Sequence, residues 1–522
     1  MRFAGASDGR QYVESFSSPP AAAAEEHARR SAARAAPRAD GTMPPPIDAA
    51  TLAALLTRHS VAGVSIAAIL PGEGGHGALG SRVVSQTSGF AVVPPSLDRS
   101  IETILKIAAT AADGSHVPPP AQPVPLAPPS EVNDATWFEI ASLSKTIATA
   151  FALQYFEAHG IPLSTKVNTL LTQYCPPGSP HHFRLRSAPG LSPMWAENVE
   201  LLHLFNYTGL GLHYVNGIPL SHPMPPVVRL VSGRDGAPAP YGYATLDVIK
   251  EPGTAFGYSG GGFLVLQLLL EAMEEAPIAA IMAPFLAKSG TAVSLGLSFH
   301  QRLAGKHYAL GYRADGSLVE DGRLMFPPLA AGGLGSAVAV AEWLKQLALA
   351  YARPEGCGAI AHATARQMLT PGVDLGSEAF MAAKMGLGVF VFEVEGGSKW
   401  MLHQAANDGY RGVYLVCFDG PDAAEGPRGV VVFSNGDNNA MFLNCEICTL
   451  LLKSAVVFNP PLIGLDWNRV KSIEGGFDPS GLKQEEIINL GLKELVLNAF
   501  VRPGDWEKEG EQRLKQQLGE YS

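Results

Sequence analysis

Regular apolar patterns along the chain alternate with stretches that have none, and the regular ones predict the elements. Residues 1–46 are rich in Ala, Arg, Ser and Pro and show no apolar period, which predicts a disordered tail. A short helix is predicted at 47–59. Val61–Leu70 (VAGVSIAAIL) follows as a β-rich run and reads as a strand. Residues 71–133 hold Gly-rich and Pro-rich tracts, notably His116–Ser130 (HVPPPAQPVPLAPPS). Proline breaks helices and supplies no ladder donor, so this stretch reads as insertions on one face.

From Thr136 the pattern is regular. Trp137–Ile140 is short and apolar, and Ser142–His159 is helical with a stop at Gly160. Residues 174–197 are irregular, Leu201–Phe205 is a short helical run, and 211–250 are loop-rich. Pro252-Gly253 marks a turn ahead of a helix at Gly262–Glu275, and Ala337–Tyr351 and His362–Leu369 predict further helices. Three late runs read as strands: Gly386–Val394, Tyr410–Phe418 and Gly429–Ser434. Consecutive strands with short connections imply an antiparallel sheet. Residues 458–522 read as a charged tail with one amphipathic helix, Lys483–Phe500, and no internal repeat is found.

Composition narrows the class. In 522 residues, 47% are hydrophobic, which excludes a globally disordered chain. The net charge of −10 argues against a protein that coats nucleic acid, which needs a basic face. The longest apolar run, Gly260–Met273, is too short for a membrane span and carries three glycines. No apolar leader run precedes the first helix. Residues 20–38 are Ala- and Arg-rich, as in organelle transit peptides, but Asp8, Glu14, Glu25 and Glu26 depart from that pattern. Five cysteines are few and odd in number, which predicts a reducing, intracellular compartment, cytoplasmic or organellar. The CxxC at Cys445 and Cys448 lies in an apolar run with no partner pair, so buried thiols are expected there.

Three stretches could carry chemistry. Ser142-Leu143-Ser144-Lys145 is an SxxK at a helix start. Residues three apart share a helix face, and the first turn's free N–H groups favour negative charge. A neutral lysine there could activate the serine. The same motif recurs at Ser480–Lys483, where Ser480 reads as a helix cap, and a cap is the bland reading of Ser142 too. Gly257-Tyr258-Ser259-Gly260-Gly261 admits a nucleophile elbow on Ser259 or a proton-shuttling Tyr258, beside the bland reading of a buried tyrosine. The preceding KEPGTA is a poor strand for an elbow. His403–Tyr410 (HQAANDGY) spans a predicted strand and turn, where a lone histidine is usually structural. His59, His181, His182, His203 and His213 have no metal-site spacing.

Together and in order, these stretches resemble the serine β-lactamase-related family, which includes class C β-lactamases, DD-peptidases and family VIII esterases. The resemblance rests on Trp137–Lys145 (WFEIASLSK), Glu251–Glu271 (EPGTAFGYSGGGFLVLQLLLE) and Leu402–Gly412 (LHQAANDGYRG). It is supported by Leu201–Leu212, Ala330–Ser336 (AAGGLGS), Gly386–Gly388 and Phe433–Asn438 (FSNGDN), and spans about Asp48 to Ser454. It implies an α/β fold of the α+β type, β-lactamase/transpeptidase-like. An antiparallel sheet flanked by helices would pack on a mostly helical subdomain, all within residues 47–457. Ser142 would be the acylated nucleophile, Lys145 its base and Tyr258 the proton relay. His403 would stand at the head of the third motif. The N–H groups of Ser142 and Ala405 would form the oxyanion hole, with Gly260 and Asn407 lining the substrate site. The resemblance implies a small acyl substrate and neither metal nor cofactor.

The departures shape the expectation. His403-Gln404-Ala405 replaces the usual Lys-Thr-Gly, removing a cation that would meet a substrate carboxylate. Ala405 adds a methyl beside the expected oxyanion hole, and Gly260 stands where asparagine is common. Asn206-Tyr207-Thr208 replaces the more usual Ser-His-Thr. An esterase-like serine hydrolase is therefore expected ahead of a β-lactamase. A catalytically silent scaffold or assembly protein, an acyltransferase on the same fold, and an α/β-hydrolase using Ser259 remain as alternatives, with oligomeric state open.

Overall fold

The computed structural model describes residues 47–71, 81–94, 128–211, 215–232, 239–243, 245–374, 384–394 and 396–451. The expected N-terminal tail, the core of the Pro-rich tract, His213, the second SxxK and the helix at Lys483–Phe500 lie outside them.

In chain order, the elements that frame the site begin with α1 (Ala49–Arg58), β1 (Gly63–Pro71), β2 (Ser81–Val92), β3 (Ser130–Glu131) and β4 (Phe138–Glu139). Helix α2 (Leu143–Ala158) and helix α3 (Gly260–Glu274) follow, then β5 (Leu297–Ser298), β6 (Leu334–Gly335) and α4 (Ala337–Ala352). The chain then makes β7 (Val373–Asp374), β8 (Lys384–Met385), β9 (Phe390–Glu393), β10 (Lys399–Asn407), β11 (Tyr410–Asp419), β12 (Arg428–Ser434) and α5 (Asn438–Leu451).

Among the described residues, nine strands form one antiparallel sheet in the order β7-β8-β9-β10-β11-β12-β1-β2-β3. The late meander joins the sheet's N-terminal strands through β12 against β1, with Val64 opposite Ser434. The central strands are buried on both faces because helices cover both. Helices α4 and α5 pack on β11 and β12, and α2 packs behind β10. This is why β11 (YRGVYLVCFD) and β12 (RGVVVFS) read as continuous apolar runs. A three-stranded sheet, β4-β6-β5, sits beside the start of α2.

Helices α2 and α3 are buried all round over most of their length, polar side chains such as Lys145, Thr146 and Gln267 included. A helix without an exposed polar face belongs inside a protein. Around α3 lie the short helices Leu201–Phe205, Val227–Val231 and Ile278–Lys288, the helical part of the molecule. No helix among the described residues is long and apolar enough to cross a membrane.

Two sequence expectations need correction. The stretch 71–133 holds more than insertions, because β2 occupies 81–92 and pairs with β1 from Gly63 opposite Gly89 to Pro71 opposite Ser81. Its polar sequence, SRVVSQTSGFAV, gave no alternating signal because it is only partly buried. The run 386–394 is not one strand either. It is a turn and then β9, with Gly386 N–H bonded to the Val389 carbonyl and Gly388 at φ 66°. Cys445 and Cys448 are buried on α5, and burial pushes the Cys445 thiol up to about 12.

Candidate active site

Ser142 opens α2. The residue before it, Ala141, is held at φ 43°, a left-handed conformation that costs a non-glycine residue energy. That turn closes the chain onto β6 through Ile140, whose N–H meets the Gly333 carbonyl. Ser142 is partly exposed, while its neighbours Ala141 and Leu143 are buried. As the residue capping the helix's start it also has an N–H outside the intrahelical ladder.

Lys145 lies one turn along α2 and is only 1% exposed. Its Nζ donates to Ser142 Oγ at 3.0 Å and to the Ala330 carbonyl at 2.7 Å. The same Nζ stands 4.9 Å from the centre of the Tyr258 ring. Tyr258 is buried against Tyr207, with ring centres 4.8 Å apart, and next to Phe390 at 6.5 Å. The serine, the lysine and the tyrosine expected from the sequence thus converge on the Lys145 amine.

Ser259 does something else. It caps α3, its hydroxyl accepting from Gly262 N–H at 3.3 Å, and no strand leads into it. The nucleophile elbow also needs a parallel sheet, and the main sheet is antiparallel. The α/β-hydrolase reading is therefore wrong. Gly260 is the first residue of α3 and is buried.

Strand β10 carries the third motif. His403 is 1% exposed, and its cross-strand neighbour is Tyr414. Tyr414 hydroxyl meets Thr146 Oγ1 of α2 at 2.8 Å, so this face of the sheet looks toward α2. The His403 ring centre is 6.0 Å from that of Tyr258 and 5.3 Å from that of Phe390. Burial, with the nearby Lys145 charge second, pushes the imidazole down to about 3 against the opposing bond to the Gln404 carbonyl. The ring is neutral at pH 7.

Register decides which backbone groups of β10 are open. In an antiparallel ladder both polar groups of one residue face the same neighbour, and the next residue faces the other. Asn435 N–H bonds the Gly63 carbonyl, so Ser434 faces β11, where it pairs with Arg411. Tyr410 then faces β10, and Asn407, Ala405 and His403 face β11 in return. Gln404 and Ala406 point the other way. Strand β9 begins at Phe390, opposite Leu402, and no strand among the described residues runs beside Gln404 or Ala406. The Ala405 N–H, the expected oxyanion donor, is therefore turned to β11, and the open N–H at this end of β10 is that of Ala406. The Ala405 methyl fills the space left by its partner Gly412, where an added methyl would come within 3.1 Å of it.

Asn407 is not open to a substrate through its amide nitrogen. Its Nδ2 donates to Glu139 Oε2 at 2.6 Å and to the Ala331 carbonyl at 3.1 Å. This tie joins the end of β10 to β4, three residues before Ser142. Glu139 is 3% exposed and its Oε1 has no partner among the described residues. Burial, opposed by Arg323 and by the Asn407 bond, pushes its carboxyl up to about 8.

Sequence reasoning missed Glu139, Thr146 and Ala406. Glu139 and Thr146 act through partners more than 240 positions away, which no local pattern reports. Ala406 had a signal, because Asp408-Gly409 marks a two-residue hairpin that fixes the parity of every residue before it.

The sequence matches the Beta-lactamase family over residues 122–444, more than half of the chain. Among solved structures it is similar to the octameric penicillin-binding protein homologue from Pyrococcus abyssi, at 18% identity and TM-score 0.50, covering 81% of each chain. At that identity the likeness shows the fold alone. Weaker likenesses are EstCE1, a hydrolase with promiscuous acyltransferase activity (19% identity, TM-score 0.47, 74% of this chain and 93% of that one), and the D-alanine carboxypeptidase AmpC from Burkholderia cenocepacia (14%, 0.47, 83% and 99%). No curated protein matches the chain.

Proposed function

We propose, from the premise that this chain belongs to the beta-lactamase family, that it is a serine acyl hydrolase working through an acyl-enzyme on an uncharged ester or amide. The observation that carries the reading is the 3.0 Å bond between Lys145 Nζ and Ser142 Oγ, with the Tyr258 ring against the same amine. Lys145 in its neutral form would take the serine proton as Oγ attacks the acyl carbon. The oxyanion would rest between the N–H groups of Ser142 and Ala406, donors aimed at charge that develops only in the transition state. Tyr258 would carry the proton to the leaving alkoxide or amine as the old acyl bond breaks. Water would then add to the acyl-enzyme, the acyl–Oγ bond would break, and the serine would recover its proton.

The neutral His403 supports an uncharged substrate. A cation at that position would offset a carboxylate, and a buried neutral ring does not. The test is labelling of the full chain with a fluorophosphonate, mapped by peptide mass spectrometry. A label on Ser142 that disappears in Lys145→Ala supports the mechanism. No label on folded protein sinks it and leaves a silent scaffold.

A further inference from the structure

The reading of Ser142 as nucleophile leaves the role of the third motif open, and the His403 ring gives it one. A carbonyl oxygen accepts only. The 2.8 Å contact from His403 Nδ1 to the Gln404 carbonyl therefore fixes the proton on Nδ1 and leaves a bare lone pair on Nε2. That Nε2 is buried and has no hydrogen-bond partner among the described residues. Its ring sits on the β10 face that looks toward α2, among the rings of Tyr258, Phe390 and Tyr414. Buried polar atoms in folded proteins are almost always satisfied, so this orphan, on a ring packed 6.0 Å from that of Tyr258, marks a place for a ligand atom.

We propose that His403 Nε2 is a recognition point for a hydrogen-bond donor on the substrate, an amide N–H or a hydroxyl close to the scissile carbonyl. A carboxylate there would set its lone pairs against that of Nε2. The inference rests on the hydrolase reading and narrows it. The substrate is not merely uncharged but carries a donor. The low proton affinity of the ring agrees, since His403 stays an acceptor across the working pH range.

The experiment compares matched esters on the full wild-type chain, each pair differing only in N–H against O. On the acyl side the pair is the nitrophenyl esters of N-acetylglycine and of acetoxyacetic acid. On the leaving side it is the acetates of N-acetylethanolamine and of 2-acetoxyethanol. A nitrophenyl hemisuccinate supplies the carboxylate. We expect kcat/KM for the N–H member to exceed its oxygen twin by about tenfold in at least one pair, because the twin leaves a buried acceptor unpaired. The hemisuccinate should be the poorest substrate. His403→Leu should bring that ratio toward one, whatever it does to either rate, and His403→Gln, which keeps an acceptor, should preserve part of it. Equal rates within both pairs, with turnover that Ser142→Ala abolishes, would overturn this inference alone. No Ser142-dependent turnover of any ester would overturn the nucleophile reading and this inference with it. The wild-type comparison decides the matter even if a His403 variant does not fold.

Discussion

Glu139 makes folding stability depend on pH in an unusual direction. Its carboxyl lies between β4 and β10, bonded to Asn407 through Oε2, with Arg323, Asp408 and Tyr410 as the other ionisable groups facing it. Neither Glu139 Oε1 nor Arg323 Nη1 has a hydrogen-bond partner among the described residues, so the two do not join in an ion pair. In the native state the carboxyl keeps its proton up to about pH 8, against an ordinary value of 4.5. Between those values the unfolded chain is ionised and the native one is not. The unfolded state then binds fewer protons, so stability is full below the lower value and falls as pH rises toward the upper one. The slope is about 1.4 kcal/mol per pH unit, and the ceiling over the whole interval is about 5 kcal/mol. Partial relaxation around a buried carboxylate brings the expected loss to a few kcal/mol.

Glu139→Gln keeps an acceptor for Asn407 and removes the titration. The assay is urea unfolding of wild type and variant at several values between about pH 5 and 9, read as the difference between them so that all other groups cancel. We expect the variant to gain on wild type steadily as pH rises, and to be the more stable protein at the alkaline end. A difference that does not change with pH would refute the argument. A variant that loses ground at high pH would show that the attraction of Arg323 outweighs burial.

Further outcomes follow from the same geometry. Ser142→Ala should lower turnover of a reactive ester by about a thousandfold or more in steady-state assays, with the unfolding midpoint little changed. Thr146→Val should destabilise by about 2–4 kcal/mol in denaturant titration, because it strands the Gly388 carbonyl and the Tyr414 hydroxyl inside the protein. Gly388→Ala should lower the melting temperature by several degrees or prevent folding. The added methyl would overlap Thr149 Oγ1 and lie 3.1 Å from the Lys145 carbonyl, at a φ of 66° that side chains avoid.

The parts of the fold that were legible in the sequence are those where one segment's own pattern suffices. Val61–Leu70 and Gly429–Ser434 are apolar but for Ser65 and Ser434 because both faces of their strands are covered, and they were placed within two residues. Helix α2 announced itself by length and by the glycine after its end. Strand β2 did not, since its side chains are mostly half-buried and their order carries no period. At the site, the spacing of Ser142 and Lys145 is a local fact of helix geometry and could be read directly. Their meeting with Tyr258 could not, because that residue comes to the Lys145 amine from the head of α3, more than a hundred positions later. Resemblance to a known family supplied that step, and it also carried over the oxyanion expectation to Ala405, whose N–H strand parity turns to β11.

The pairing of β1 with β12 has a consequence for how the chain comes to be folded. Val64 must wait for Ser434, 370 positions later, before the middle of the sheet can close. On a ribosome adding roughly 5–20 residues per second, that is a delay of tens of seconds. During it β1 can pair with β2 but leaves its other edge bare, an apolar template open to any neighbouring strand. The late meander of β10, β11 and β12 is local and can form by itself, so closure amounts to docking two preformed pieces rather than growing a sheet strand by strand. Such a topology folds slowly, and its first half stays exposed until the last strands arrive.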